Sequence, residues 1–117
     1  MLETDDLPAT IEFYTKTLGF EVYNTLSNEE GPYWTSMHRD DAELMFCTRN
    51  AHSKPKHATV TGVMYFYPDD VMALWDELKD KVKVEWKPED FGYGMLDFGI
   101  HDNNGFILAF GQPTEEL

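Results

Sequence analysis

The last stretch of the chain, residues 97 to 112, sets two apolar runs on either side of Asp102-Asn103-Asn104-Gly105. Asp and Asn side chains bond their own backbone and a glycine accepts positive φ, so the pattern predicts a β-hairpin. Its second strand puts Phe106, Leu108 and Phe110 on one face and Ile107, Ala109 and Gly111 on the other. One face is packed, and the other faces something that needs room.

From the start of the chain, Met1 to Thr4 reads as a short extended piece and Asp6 as a helix N-cap, with Pro8 tolerated in the first turn. Leu7, Ile11, Tyr14 and Leu18 fall on one helical face, and Gly19 closes the helix. Strands follow at Phe20–Leu26, Tyr33–His38 and Ala42–Thr48, with turns at 28–32 and 39–41. Residues 49 to 58 are polar and aperiodic and read as a linker. The pattern then repeats: a strand at Val60–Tyr67, a helix capped by Asp70 with Val71, Trp75, Leu78 and Val82 inward, and strands at Val84–Lys87, Met95–His101 and Phe106–Gly111. The four inward helical positions lie 64 residues after those of the first helix, and Ile100-His101 follows Met37-His38 at an offset of 63. This predicts an internal duplication, with module one at 1–48, the linker at 49–58 and module two at 59–113. The expected fold class is α+β: two tandem β-α-β-β-β modules forming curved mixed sheets around a cavity, with helices outside.

At 117 residues, 42% of them hydrophobic, the chain is long and apolar enough to bury a core as a single domain. The net charge of −13 repels phosphate backbones and anionic lipid, excluding nucleic acid and membrane as partners and favouring cationic ligands. The single cysteine, Cys47, cannot close an internal disulfide, as expected of a cytoplasmic protein. No run has membrane-spanning length, and the acidic start is unlike a signal peptide. The abrupt opening in a strand is what an internal start at Met1 would give.

The run from Asp6 to Val22, DLPATIEFYTKTLGFEV, resembles the first helix of the vicinal oxygen chelate superfamily. That group includes glyoxalase I, bleomycin-resistance proteins and extradiol dioxygenases. Asp102-Asn103-Asn104-Gly105-Phe106 is similar to its Asp-Pro-x-Gly-aromatic turn, with Asn103 in place of proline. The resemblance spans nearly the whole chain and is specific for fold, while the superfamily hosts several chemistries and plain binders. It implies metal ligands, His or Glu, on the inner strand faces. The ligand four residues after the turn glycine would be Ala109, its duplicate Phe46, and the one opening module two Val63; the fourth position falls before Met1. None of the three side chains binds a metal, so neither metal nor other cofactor is expected. Glu43 lies near Phe46 but on the opposite strand face. A homodimer is also expected, since the inner faces are apolar and the resemblance implies cavities built by pairing modules, within one chain or between two.

Other chemistry is sparse. His38 and His101 stand at strand ends beside turns, where histidines are solvated or capping. His52 and His57 lie in the linker, and Cys47 is expected on the helix-packed face with Met45. Strand alternation from Ala109 and Val63 puts Tyr65, Tyr67, Met95 and Asp97 on the cavity face, with Trp34, Ser36 and Phe46 from module one; Tyr23 and Glu85 join them. A carboxylate at Asp97 beside aromatics would answer a cationic ligand. The expected function is metal-free binding that sequesters a hydrophobic or cationic small molecule. The alternative is a metal-dependent glyoxalase- or dioxygenase-like enzyme whose ligands are misplaced by register or lost before Met1.

Overall fold

The computed structural model describes residues 2 to 48 and 63 to 117; the linker, His52, His57 and the start of the strand expected at Val60 lie outside the described residues. The chain divides into two compact units, Met1–Thr59 and Val60–Leu117. Each holds a four-stranded mixed sheet and one main helix, so the α+β class and the repeated β-α-β-β-β order are as the sequence predicts.

In the first unit β1 (Leu2–Thr4) pairs parallel with β4 (Ala42–Thr48), which pairs antiparallel with β3 (Gly31–Arg39), and β2 (Glu21–Asn28) forms the far edge. Helix α1 (Leu7–Glu12) starts where Asp6 accepts the Ala9 N–H at 3.0 Å. Beyond Glu12 the helix widens into a π turn over Phe13–Thr17, closed by Leu18 N–H to the Phe13 carbonyl. The regular α-helix expected through Leu18 is thus corrected: the wider turn drops Tyr14 and Leu18 into the core and leaves Ile11 half-buried, with Thr10 buried instead. Gly19 then takes φ of 74°, the left-handed exit that glycine allows.

The second unit repeats the plan. Strand β5 (Val63–Phe66) lies parallel to β8 (Ile107–Pro113), β7 (Met95–His101) is central beside it, and β6 (Lys83–Asp90) is the edge. Helix α2 (Val71–Leu78) is capped by Asp70, and the Val71 N–H donates to the buried Gln112 Oε1. The helix stops at Leu78, so Val82 lies beyond it in the approach to β6 rather than on its inner face. Asp102 orders the β7–β8 turn by accepting the Asn104 and Phe106 N–H groups at 2.8 Å, and Gly105 supplies a φ of 82°.

Each helix covers one sheet face. Residues directly opposite across a strand pair share a face, so the register fixes which side chains lie under the helix. In the first unit these include Thr35, Met37 and Phe46, with the Phe46 ring 5.0 Å from that of Tyr14. In the second they include Phe98, Ile100, Leu108 and Phe110, with Trp75 edge-on to Phe98 at 5.2 Å. Everything that alternates with these residues lies on the face away from the helix.

Candidate functional site

On the face of the second sheet away from α2, Asp97 stands in mid-strand on β7, opposite Gly111. Its side chain is 1% exposed and accepts three side-chain hydrogen bonds. Trp86 Nε1 donates to Oδ1 at 2.9 Å, Tyr65 Oη donates to Oδ2 at 2.9 Å, and Tyr93 Oη donates to the same Oδ2. A carboxylate removed from water is costly unless its lone pairs are answered, and three neutral donors answer them here. Burial, then the bond to Asp97, pushes the Tyr65 phenol well above its ordinary value. The bond to Asp97, then burial, raises that of Tyr93. Both phenols therefore stay protonated as donors at neutral pH.

Two glycines make the cluster possible. A Cβ on Gly111 would overlap the Tyr65 hydroxyl and come within 2.7 Å of its Cζ. A Cβ on Gly99 would lie 2.5 Å from Trp86 Cε3. The room expected beside Ala109 and Gly111 is therefore filled by the chain's own rings: Tyr65 lies over Gly111, and Trp86 over Gly99. Around them stand further aromatic surfaces. Tyr67, 74% exposed, has its ring centroid 5.1 Å from that of Tyr65, and Phe91 stacks on Tyr93 at 6.4 Å with the planes 5° apart.

Of the residues expected from sequence, Val63, Tyr65, Met95, Asp97 and Ala109 share this face, and Tyr67 adjoins it one residue past β5. Trp34 and Ser36 lie on the corresponding face of the first sheet, Ser36 buried. Phe46 is corrected. It is wholly buried under α1, while Met45 and Cys47, expected beneath the helix, pair with Ser36 and Trp34 on the other face. The cause is turn length. The first β3–β4 turn leaves two residues between paired Arg39 and Ala42, whereas the second leaves three between Asp102 and Phe106, which also bond. Phe46 therefore matches Phe110, 64 residues on, and the counterpart of Ala109 is Met45. The thiol of Cys47 is raised by burial and by Glu3.

Trp86 and Tyr93 were not expected at this site. Trp86 comes to it through an irregularity in the β6–β7 register between Val84 and Trp86, which turns both Glu85 and Trp86 to the same face. Glu85 there bonds His101 Nε2, and in the first unit the equivalent irregularity sets Tyr23 on His38, ring centroids 4.4 Å apart. The strand-end histidines are thus packed against partners rather than simply solvated.

The model of the glyoxalase/bleomycin resistance protein/dioxygenase superfamily matches residues 1–110. The chain belongs to that superfamily. Among solved structures it is similar to TioX from Micromonospora sp. ML1, at 12% identity and TM-score 0.77 over 96% of this chain and 94% of that one. It is also similar to TnmS3, an antibiotic binding protein from Streptomyces sp. CB03234, at 20% identity and TM-score 0.74 over 97% and 91%. A third is lactoylglutathione lyase from Agrobacterium tumefaciens, at 23% identity and TM-score 0.70 over 95% and 88%. At these identities the likeness is one of fold. No curated protein sequence matches the chain.

The metal that some members of the superfamily use does not fit these residues. Val63, Ala109 and Met45 stand at the positions the superfamily's pattern implies, and two alkyl groups and a thioether are no donors for a Lewis-acidic ion. Among the described residues, no three His, Cys, Asp or Glu side chains gather so that they could hold one. Nor, among these residues, is any helix long and apolar enough to cross a membrane.

Proposed function

We propose that the protein is a metal-free small-molecule binder that holds a flat, largely apolar ligand against the aromatic face of its second unit. The observation that carries this is the Asp97 cluster, which aligns Tyr65, Trp86 and Tyr93 by fixed hydrogen bonds. The first unit builds the same sheet without it: Trp34 stands where Asp97 does, Cys47 at Gly111 and Ser36 at Gly99. The fold therefore does not require a buried carboxylate there, and its cost is offset by what the ordered rings do. Rings held in place lose little freedom when a planar ligand stacks on them, which favours affinity. TnmS3, an antibiotic binding protein, is consistent with such a role, but lactoylglutathione lyase shares the fold as well, so the preference for binding rests on the Asp97 cluster.

The trial is a thermal-shift panel of planar aromatic compounds with a chelator present. A true ligand at about a hundred times its Kd stabilises by about 2.7 kcal/mol, well above detection. A panel in which stabilisation appears only with added Zn, Ni, Fe or Mn supports the enzyme reading instead. The proposal includes a homodimer, since Leu26 and Met45 leave apolar surface exposed on the sheet face away from α1, and a cytoplasmic place, which suits the lone Cys47. Light scattering should give about twice the 13.6 kDa chain mass; the chain mass itself at tens of micromolar would refute the dimer.

A further inference from the structure

Resting on that binding role, we infer that the Asp97 cluster recognises a protonated amine on the ligand, and that it does so as a site with hydrogen-bond acceptors only. Each phenol has one hydrogen, Tyr65 and Tyr93 both direct theirs to Asp97 Oδ2, and the two hydroxyls also interact with each other, so neither has a hydrogen to spare. The single indole N–H of Trp86 is committed to Oδ1. What the two hydroxyls have left for a ligand is lone pairs. A hydroxyl that donates to a carboxylate becomes a stronger acceptor, because the bonds polarise one another.

The charge on Asp97 points the same way. Its three partners are neutral, and among the described residues no Lys, Arg or His side chain pairs with it. The cluster thus carries a full negative charge that hydrogen bonding spreads but does not cancel. The ring faces of Tyr65, Tyr67 and Trp86 around it add the negative side of their quadrupoles. Tyr93 is 58% exposed, so the cluster meets solvent along that residue. An ammonium N–H can bond the phenol oxygens and lie against the rings at once. A quaternary ammonium has the charge but no N–H, and a neutral ring has neither.

Three probes separate these contributions: naphthylmethyl-dimethylammonium, its trimethyl quaternary analogue and neutral methylnaphthalene, each titrated by calorimetry at pH 7. The protonated amine should bind about tenfold more tightly than the quaternary ion, the worth of one charge-assisted hydrogen bond. In Tyr93→Phe, whose side chain is exposed enough to change without unfolding, that ratio should fall to about twofold or less. Because both affinities come from the same variant, a general loss of binding cancels from the ratio. Equal affinity for the two cations, or an undiminished ratio in Tyr93→Phe, overturns the acceptor site while leaving the binding role. Failure of all three probes to bind at millimolar concentration overturns the binding role itself.

Discussion

Gly111→Ala offers the sharpest test of how the aromatic face is built. The added methyl would overlap the Tyr65 hydroxyl and lie 2.7 Å from Cζ and 3.0 Å from Cε1. The backbone there is strand, so the change introduces no φ strain and the clash is the whole perturbation. The ring must swing away, and the bond from Tyr65 Oη to Asp97, 2.9 Å in the native fold, is lost. Overpacking costs about 1–3 kcal/mol, and a hydrogen bond to a charged acceptor about 1.5–3, so Gly111→Ala should destabilise by about 2.5–6 kcal/mol. In a Tyr65→Ala background neither cost remains. There the same substitution should be neutral or stabilise by up to about 1 kcal/mol, because alanine restricts the unfolded chain. Urea unfolding of the four proteins of the cycle, followed by tryptophan fluorescence, measures this coupling directly. If Gly111→Ala costs the same in both backgrounds to within about 0.5 kcal/mol, Tyr65 does not occupy the space over Gly111 and the cluster geometry is wrong.

Phe46→Ala should cost about 3–5 kcal/mol, as expected of a ring wholly buried against Tyr14, and should leave probe binding per folded molecule intact; a loss of binding without a loss of stability would restore it to the site. The raised phenols of Tyr65 and Tyr93 favour their protonated forms in the fold. Their contribution is therefore fully present below the unfolded tyrosine value of about 10 and is lost as pH rises beyond it, where the unfolded chain gives up protons that the folded one keeps. Stability should decline above about pH 10 less steeply in the Tyr65→Phe/Tyr93→Phe double variant; equal slopes would refute the assignment. Asp97→Asn keeps the shape but, whichever way the amide turns, puts an N–H₂ donor group where at least one donor already points, so it should lose about 1–3 kcal/mol in urea unfolding; a change under about 0.5 would show that the carboxylate is not needed to align the rings.

The fold was legible because its signals are local and repeated. Asp6 and Asp70 cap helices at the same offset that relates the inward residues after them, and Asp102 with Gly105 specifies its own turn. Strand alternation then assigned Tyr65, Asp97 and Ala109 to one face correctly, since β5, β7 and β8 pair without interruption. Phe46 was misplaced because its assignment crossed a turn one residue shorter than its duplicate, and a slip of one residue moves every side chain to the other face. Trp86 escaped notice for a related reason: the extra residue at Glu85 breaks alternation, and nothing in Val84-Glu85-Trp86 announces it. Tyr93 sits between Gly92 and Gly94, both at positive φ, and such a loop aims its side chain in ways that no periodicity encodes. Asp97 was expected as a ligand's counter-charge; the structure shows its oxygens bonded first to three side chains of its own chain.

The measurement that bears most directly on the central claim is calorimetric titration of naphthylmethyl-dimethylammonium into the protein before and after exhaustive chelation. A metal-free site formed by Tyr65, Trp86, Tyr93 and Asp97 predicts the same Kd, within about twofold, in both titrations. Binding that disappears on chelation and returns with about one equivalent of a divalent ion would contradict it, because the ion would then be part of the site.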